Sequence, residues 1–144
     1  MITLRKVSRT ELARNTRRVL SDVQRGRTTL IERHGEPEAA LMDIVDYRIM
    51  RAVMRVYAES PDIDPDAGLT EDAVRTMDDP EACYALVFAH YLAGSISLSR
   101  AAELLDIPWL ELRMRCRRLD VPLRSAPDDD AAAVAADADT IAEW

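Results

Sequence analysis

Val7-Ser8-Arg9-Thr10-Glu11-Leu12-Ala13-Arg14-Asn15-Thr16-Arg17-Arg18-Val19-Leu20-Ser21-Asp22-Val23-Gln24-Arg25-Gly26 is the stretch on which the reading of the fold turns. Ser8-Arg9-Thr10-Glu11 has the pattern of a capping box: the Ser8 hydroxyl accepts the Glu11 amide, and the Glu11 carboxylate reaches back to the Ser8 amide. Val7 and Leu12 are spaced as a hydrophobic staple across that start. Gly26 supplies a left-handed stop. The pattern predicts one helix from Ser8 to Gly26. At about 100° per residue, Leu12, Thr16, Val19, Leu20 and Val23 share one arc, and Arg14, Arg17, Arg18 and Arg25 share the opposite one. Four arginines in a row without an acid among them suit an anionic partner better than water alone.

Working outward, Ile2 to Lys6 reads as a short strand. Thr28–His34 and Glu38–Ile44 read as two strands of a hairpin around Gly35-Glu36-Pro37, with Arg33 and His34 at the tip. A second helix is expected from Asp46, with Ile49, Met50, Val53, Val56 and Tyr57 on one side, ending near Ser60-Pro61. The expected class is α+β, with a β-α-β-β-α order in residues 1–57.

Residues 58–68 carry two prolines and four acids and read as an acidic linker. Asp62, Asp64 and Asp66 imitate the opening of a calcium loop. Ala67 stands where that loop needs glycine and Ala73 where it needs glutamate, so no metal site is expected. Residues 69–124 read as helical. Asp79-Pro80-Glu81 opens a helix with Tyr84, Val87, Phe88, Tyr91 and Leu92 as its apolar stripe. His90 lies off that stripe. Residues 97–119 read as a short helix and, after a turn at Ile107-Pro108, a longer one carrying Arg113, Arg115, Arg117 and Arg118. That arrangement resembles a helix-turn-helix, although an ordinary helical hairpin has the same pattern. The alanine-rich residues 125–144 read as a tail that is disordered or a helix docked on a partner. Asp128, Asp129 and Asp130 open it, and Val134, Ile141 and Trp144 are its larger apolar groups.

The net charge is −7 over 144 residues, which by itself disfavours a nucleic-acid binder. Its distribution reverses that reading. Residues 1–57 carry +5, residues 58–82 carry −8, residues 83–124 carry +2 and residues 125–144 carry −6. A basic head is joined to acidic segments. Catalysis finds little support: there is no glycine-rich phosphate loop, no paired-histidine metal motif and no Cys-x-x-Cys. No enzyme activity and no cofactor are expected. Two cysteines are too few for a disulfide framework, and the first six residues lack an apolar export signal. The expected location is the cytoplasm, without membrane contact.

Several motifs together carry a family resemblance. Glu11-Leu12-x-Arg14-Asn15, Val19-Leu20-Ser21-Asp22-Val23-Gln24-Arg25-Gly26, Ile31-Glu32-Arg33-His34-Gly35-Glu36-Pro37, Ala40-Leu41-Met42 and Asp46-Tyr47 occur in order over residues 1–57. In these the chain resembles the Phd/YefM antitoxins. Ala13 stands where many members carry a basic or polar residue. The resemblance implies a homodimer through residues 1–57 that binds operator DNA, and a C-terminal extension that masks a toxin. It points to Arg14 and Arg33 as phosphate or base contacts, supported by Lys6, Arg9 and Arg18. Ile96-Ser97-Leu98-x-x-Ala101-Ala102-Glu103-Leu104 and the helix ending at Val121-Pro122 are similar to small helix-turn-helix proteins encoded beside PIN-domain ribonucleases.

The expected function is therefore a type II antitoxin. It represses its own operon through the basic head and neutralises a cognate toxin, of PIN type, through Asp128, Asp129, Asp130, Val134, Ile141 and Trp144. Two other readings share parts of the pattern. One is a stand-alone transcriptional regulator using both basic segments, and the other is a protein-binding adaptor with no DNA role.

Overall fold

The structure is a computed structural model that describes residues 4–124. It is mixed α+β. The elements are β1 (Leu4–Ser8), α1 (Arg9–Arg14), α2 (Thr16–Gln24), β2 (Thr28–Arg33), β3 (Glu36–Leu41), α3 (Ile44–Glu59), α4 (Glu71–Arg75), α5 (Pro80–Ala93), α6 (Leu98–Leu105) and α7 (Trp109–Arg118). The sheet has the order β1-β2-β3, with β1 parallel to β2 and β2 antiparallel to β3.

The helix expected over Ser8–Gly26 is two helices. Ser8 caps α1 by accepting the Glu11 amide at 3.0 Å. The Glu11 carboxylate does not close the box; it lies 3.5 Å from the Arg5 guanidinium. Asn15 leaves helical geometry (φ −125°, ψ 37°) and separates α1 from α2. Asn and Thr both offer the backbone competing side-chain bonds, and the Thr16 hydroxyl donates to the Leu12 carbonyl at 2.7 Å. The break moves the later residues off the computed arc: Val19 and Val23 are buried, but Leu20 is 43% exposed. Gly26 takes the expected left-handed conformation, φ 88°.

The hairpin is tighter than expected. His34 (φ 53°) and Gly35 (φ 79°) form a two-residue turn with both φ angles positive, so Glu36 and Pro37 join β3, pairing with Arg33 and Glu32. Pro37 has no amide to donate, which an edge strand tolerates, and the pairing shifts register beside it at Ile31/Glu32. Asp43 ends the strand region by capping α3, its carboxylate accepting the Val45 amide at 3.0 Å and the Asp46 amide at 3.3 Å. The helix thus begins two residues before Asp46. It also runs through Glu59, past the expected start of the linker.

Two apolar centres result. The smaller lies between α1–α2 and the sheet and includes Val7, Val19 and Val23, with Thr29 fully buried beside them. Asp22 on the inner side of α2 pairs with Arg5 of β1 and, at 3.5 Å, with Arg27 before β2. The larger centre joins Ile49 and Ala52 of α3 to α4–α7, with Val87, Phe88, Tyr91, Ala101, Leu112 and Cys116 at its heart. Helix α3, grouped with residues 1–57 on sequence, therefore packs with residues 69–124. Ala101 and Ala102 keep α6 close to its neighbours. Tyr91 holds the end of the described chain: its hydroxyl donates to the Pro122 carbonyl at 3.0 Å, and the Arg124 guanidinium lies 4.8 Å over its ring.

An ion network fastens α7 to the start of α3. Arg115 Nη1 donates to Asp43 at 2.6 Å and to Asp46 at 2.7 Å, and Arg118 donates to the other Asp46 oxygen at 2.8 Å. The Asp46 side chain is 2% exposed and that of Arg115 is 11%. Burial disfavours the Arg115 charge, but hydrogen bonds with Asp46 and Glu111 and the charge of Asp43 outweigh it, holding the guanidinium above its ordinary value. Removing one partner strands a buried charge. Arg115→Ala is expected to lower stability by about 3 kcal/mol or more, with Arg115→Lys recovering only part, as read by urea unfolding.

His90 is buried on α5, its Nδ1 3.0 Å from the Ser95 hydroxyl. Burial lowers its pKa. The unfolded chain therefore takes up this proton first, near pH about 6.5, and stability falls as the pH drops from there toward the depressed folded value. The melting temperature is expected to drop between pH 7 and pH 5, and His90→Gln to reduce that slope.

Candidate functional site

The charges of the amino-terminal unit divide into two sets. Arg5 is part-buried against Asp22, and the exposed Arg27 lies 3.5 Å from the other Asp22 oxygen. Arg14, Arg17, Arg18 and Arg25 are exposed, and none has a side-chain partner among the described residues. Arg14 ends α1. Arg17 and Arg18 lie in the first turn of α2, and Arg25 is its C-cap. Seven residues separate Arg18 from Arg25, which places both on one side of α2. The break at Asn15 gives Arg14 a different helix axis from the other three. Arg33 is exposed at the end of β2, beside the hairpin turn, and also lacks a side-chain partner among the described residues.

Lys6 and Arg9 differ from these. Lys6 Nζ lies 3.7 Å from Glu32, a loose exposed pair. Arg9 grips Glu38 of β3 through two nitrogens, Nη2 at 2.6 Å. The hydrogen bond raises the Arg9 pKa and lowers that of Glu38. Arg9 thus has a carboxylate in the place a phosphate would take. Arg14, Arg17, Arg18, Arg25 and Arg33 remain as the open cationic set. Their planar guanidinium groups suit two-pronged contact with phosphate or with a guanine edge.

The second basic segment is arranged differently. Arg115 and Arg118 of α7 face inward to Asp43 and Asp46. Arg113 stacks over Trp109 at 5.3 Å. Arg117 is exposed. Two large apolar side chains of α7, Leu110 and Met114, are exposed as well. Two of the four arginines expected on a groove-reading helix are therefore structural.

Sequence reasoning missed Asp22 and Asp46, the two acids around which these networks form. Asp46 carries a usable signal, since at helical spacing it falls on the side of Ile49 and Val53, where an acid needs a partner. The thiol of Cys116 is buried in the larger centre, and burial pushes it up to about 12, so it stays protonated and serves packing. Cys83 is half-buried and its thiol is also raised. Among the described residues, no group of three or more His, Cys, Asp or Glu side chains is placed to hold a metal ion, and no helix is long and apolar enough to cross a membrane. The six positions proposed for partner binding, Asp128, Asp129, Asp130, Val134, Ile141 and Trp144, lie outside the described residues. The chain matches no protein-family model, no curated protein and no solved structure.

Proposed function

We propose that this chain is the antitoxin of a type II toxin–antitoxin pair. Its amino-terminal unit grips operator DNA as a homodimer, and its acidic carboxy-terminal segment binds the cognate toxin, a PIN-type ribonuclease. The observation that carries this reading is the division of the arginines: Arg5, Arg9 and Arg27 meet carboxylates, while Arg14, Arg17, Arg18, Arg25 and Arg33 are exposed with no side-chain partner among the described residues. The motif resemblance of residues 1–57 to Phd/YefM antitoxins supports the same assignment. Leu4, Leu20 and Ile44 are exposed, and β3 is an edge strand with Glu36 to Ala40 all exposed. Such a surface is suited to a second copy. The inward arginines of α7 favour this division of labour over a regulator that reads DNA with both basic segments.

Binding of the full chain to its promoter DNA is expected to fall steeply with salt. Arg14→Ala with Arg18→Ala should weaken it about tenfold or more and reduce the salt slope by about two, with melting temperature unchanged because both side chains are exposed. Arg9→Ala should cost less, since Glu38 already occupies that guanidinium. Promoter binding that survives charge reversal at Arg14 and Arg33 would overturn the DNA assignment. For the partner, the product of the adjacent reading frame is expected to co-purify with the full chain and to be lost on removal of residues 125–144. Retention after that removal would place the toxin elsewhere on the chain.

A further inference from the structure

Helix α7 turns Leu110 and Met114 outward, 54% and 57% exposed and one helical turn apart. With Pro108 they form the apolar wall of a groove of about 420 Å³. The end of α2, at Gln24 and Arg25, makes the facing wall, and Arg118 reaches across it. A Cβ at Gly26 would overlap the Arg118 guanidinium, so the Arg118 side chain reaches the backbone just past the end of α2. The rim is cationic. Arg25 has no partner among the described residues, Arg18 lies on the same side of α2, and Arg117 stands one turn beyond Met114. Glu111 is the one carboxylate lining the groove among the described residues, and its Oε1 accepts two hydrogen bonds from Arg115.

An apolar wall with a cationic rim fits an acidic segment that carries large apolar side chains. The chain itself supplies one. Residues 125–144 contain six acids and no base, with Val134, Ile141 and Trp144 as their large apolar groups. The attachment point is favourable. Arg118, on the groove, precedes Arg124 by six residues, at most about 21 Å of chain, whereas twenty residues reach about 65 Å. A tethered segment of this length acts at an effective concentration in the millimolar range.

We propose that residues 125–144 occupy the α2–α7 groove of their own chain. Ile141 and Trp144 lie against Leu110 and Met114, and the acids face Arg18, Arg25 and Arg117. Resting on the DNA reading above, the consequence is regulatory: the docked segment competes with phosphate for Arg18 and Arg25. A partner protein that captures the segment frees the α2 arginines.

The chain has two tryptophans, Trp109 and Trp144, so full-length protein labelled with fluorotryptophan has two fluorine NMR resonances, assigned with Trp109→Phe. At low salt the Trp144 resonance is expected to differ from that of a synthetic 125–144 peptide and to be unchanged by dilution. It should move onto the peptide position in Leu110→Glu/Met114→Glu, an exposed pair whose replacement leaves the melting temperature unchanged. A Trp144 resonance at the peptide position in the unaltered chain overturns the proposal. A resonance that shifts with dilution assigns the groove to another copy's segment and overturns the same-chain assignment. In the second arm, Asp128→Asn/Asp129→Asn/Asp130→Asn is expected to bind a short DNA duplex about fivefold more tightly than the unaltered chain at low salt. Equal affinity overturns the competition. Docking seen in the first arm, with no duplex binding by either protein, overturns the DNA reading and leaves the docking standing.

Discussion

The Asp46 carboxylate, 2% exposed and held by Arg115 and Arg118, is the constraint on which the arrangement of the molecule depends. A carboxylate at that depth is tolerable only with charged donors on both oxygens. Those donors come from α7, about seventy residues later in the chain. Asp43 adds a second link, because the carboxylate that caps α3 also receives Arg115. One cluster thus starts α3, orients α7 and brings the amino-terminal unit against the helical segment. Apolar contact joins α3 and α5 in the larger core, but such contact alone leaves rotation and sliding open. The ion network allows far fewer arrangements, since a guanidinium meets two carboxylates only within narrow limits of distance and angle.

The same network explains why two segments of similar basic character are suited to different work. In residues 4–33 the inner acids are few, and Asp22 takes up only Arg5 and Arg27. Arg9 is taken up by Glu38, and Arg14, Arg17, Arg18, Arg25 and Arg33 stay open to solvent. In α7 the arginines at 115 and 118 are drawn inward by Asp43 and Asp46, and the face left outside carries Leu110 and Met114. Net charge by segment does not distinguish these cases. What distinguishes them is whether a carboxylate stands within reach of each guanidinium in the folded chain.

Much of the fold was legible because it rests on local rules. Ser8 and Asp79 cap helices as their spacing implies, and Gly26 stops a helix in the left-handed conformation. The apolar stripe of α5 is buried through Tyr84, Val87, Phe88 and Tyr91. The departures are also local but lie between rules. Periodicity continues through Asn15 although the backbone does not. A two-residue turn at His34-Gly35 leaves Glu36 and Pro37 free to pair, where a longer loop would have excluded them. His90 is buried off its expected stripe because neighbours cover α5 on more than one side, which a single-helix projection does not include.

The sequence by itself determined the element types, most of their ends, and the separation of basic from acidic segments, because caps, turns and charge runs act over a few residues. Through the motifs of residues 1–57 it also pointed to Arg14 and Arg33, with Lys6, Arg9 and Arg18 in support, as contacts for DNA. Only the tertiary structure decided which charges are free. Arg9 meets Glu38 across 29 residues, and Arg115 meets Asp46 across 69. Such pairings depend on how strands and helices are brought together in space. An arginine's availability is therefore a property of its folded surroundings and not of its position in the chain.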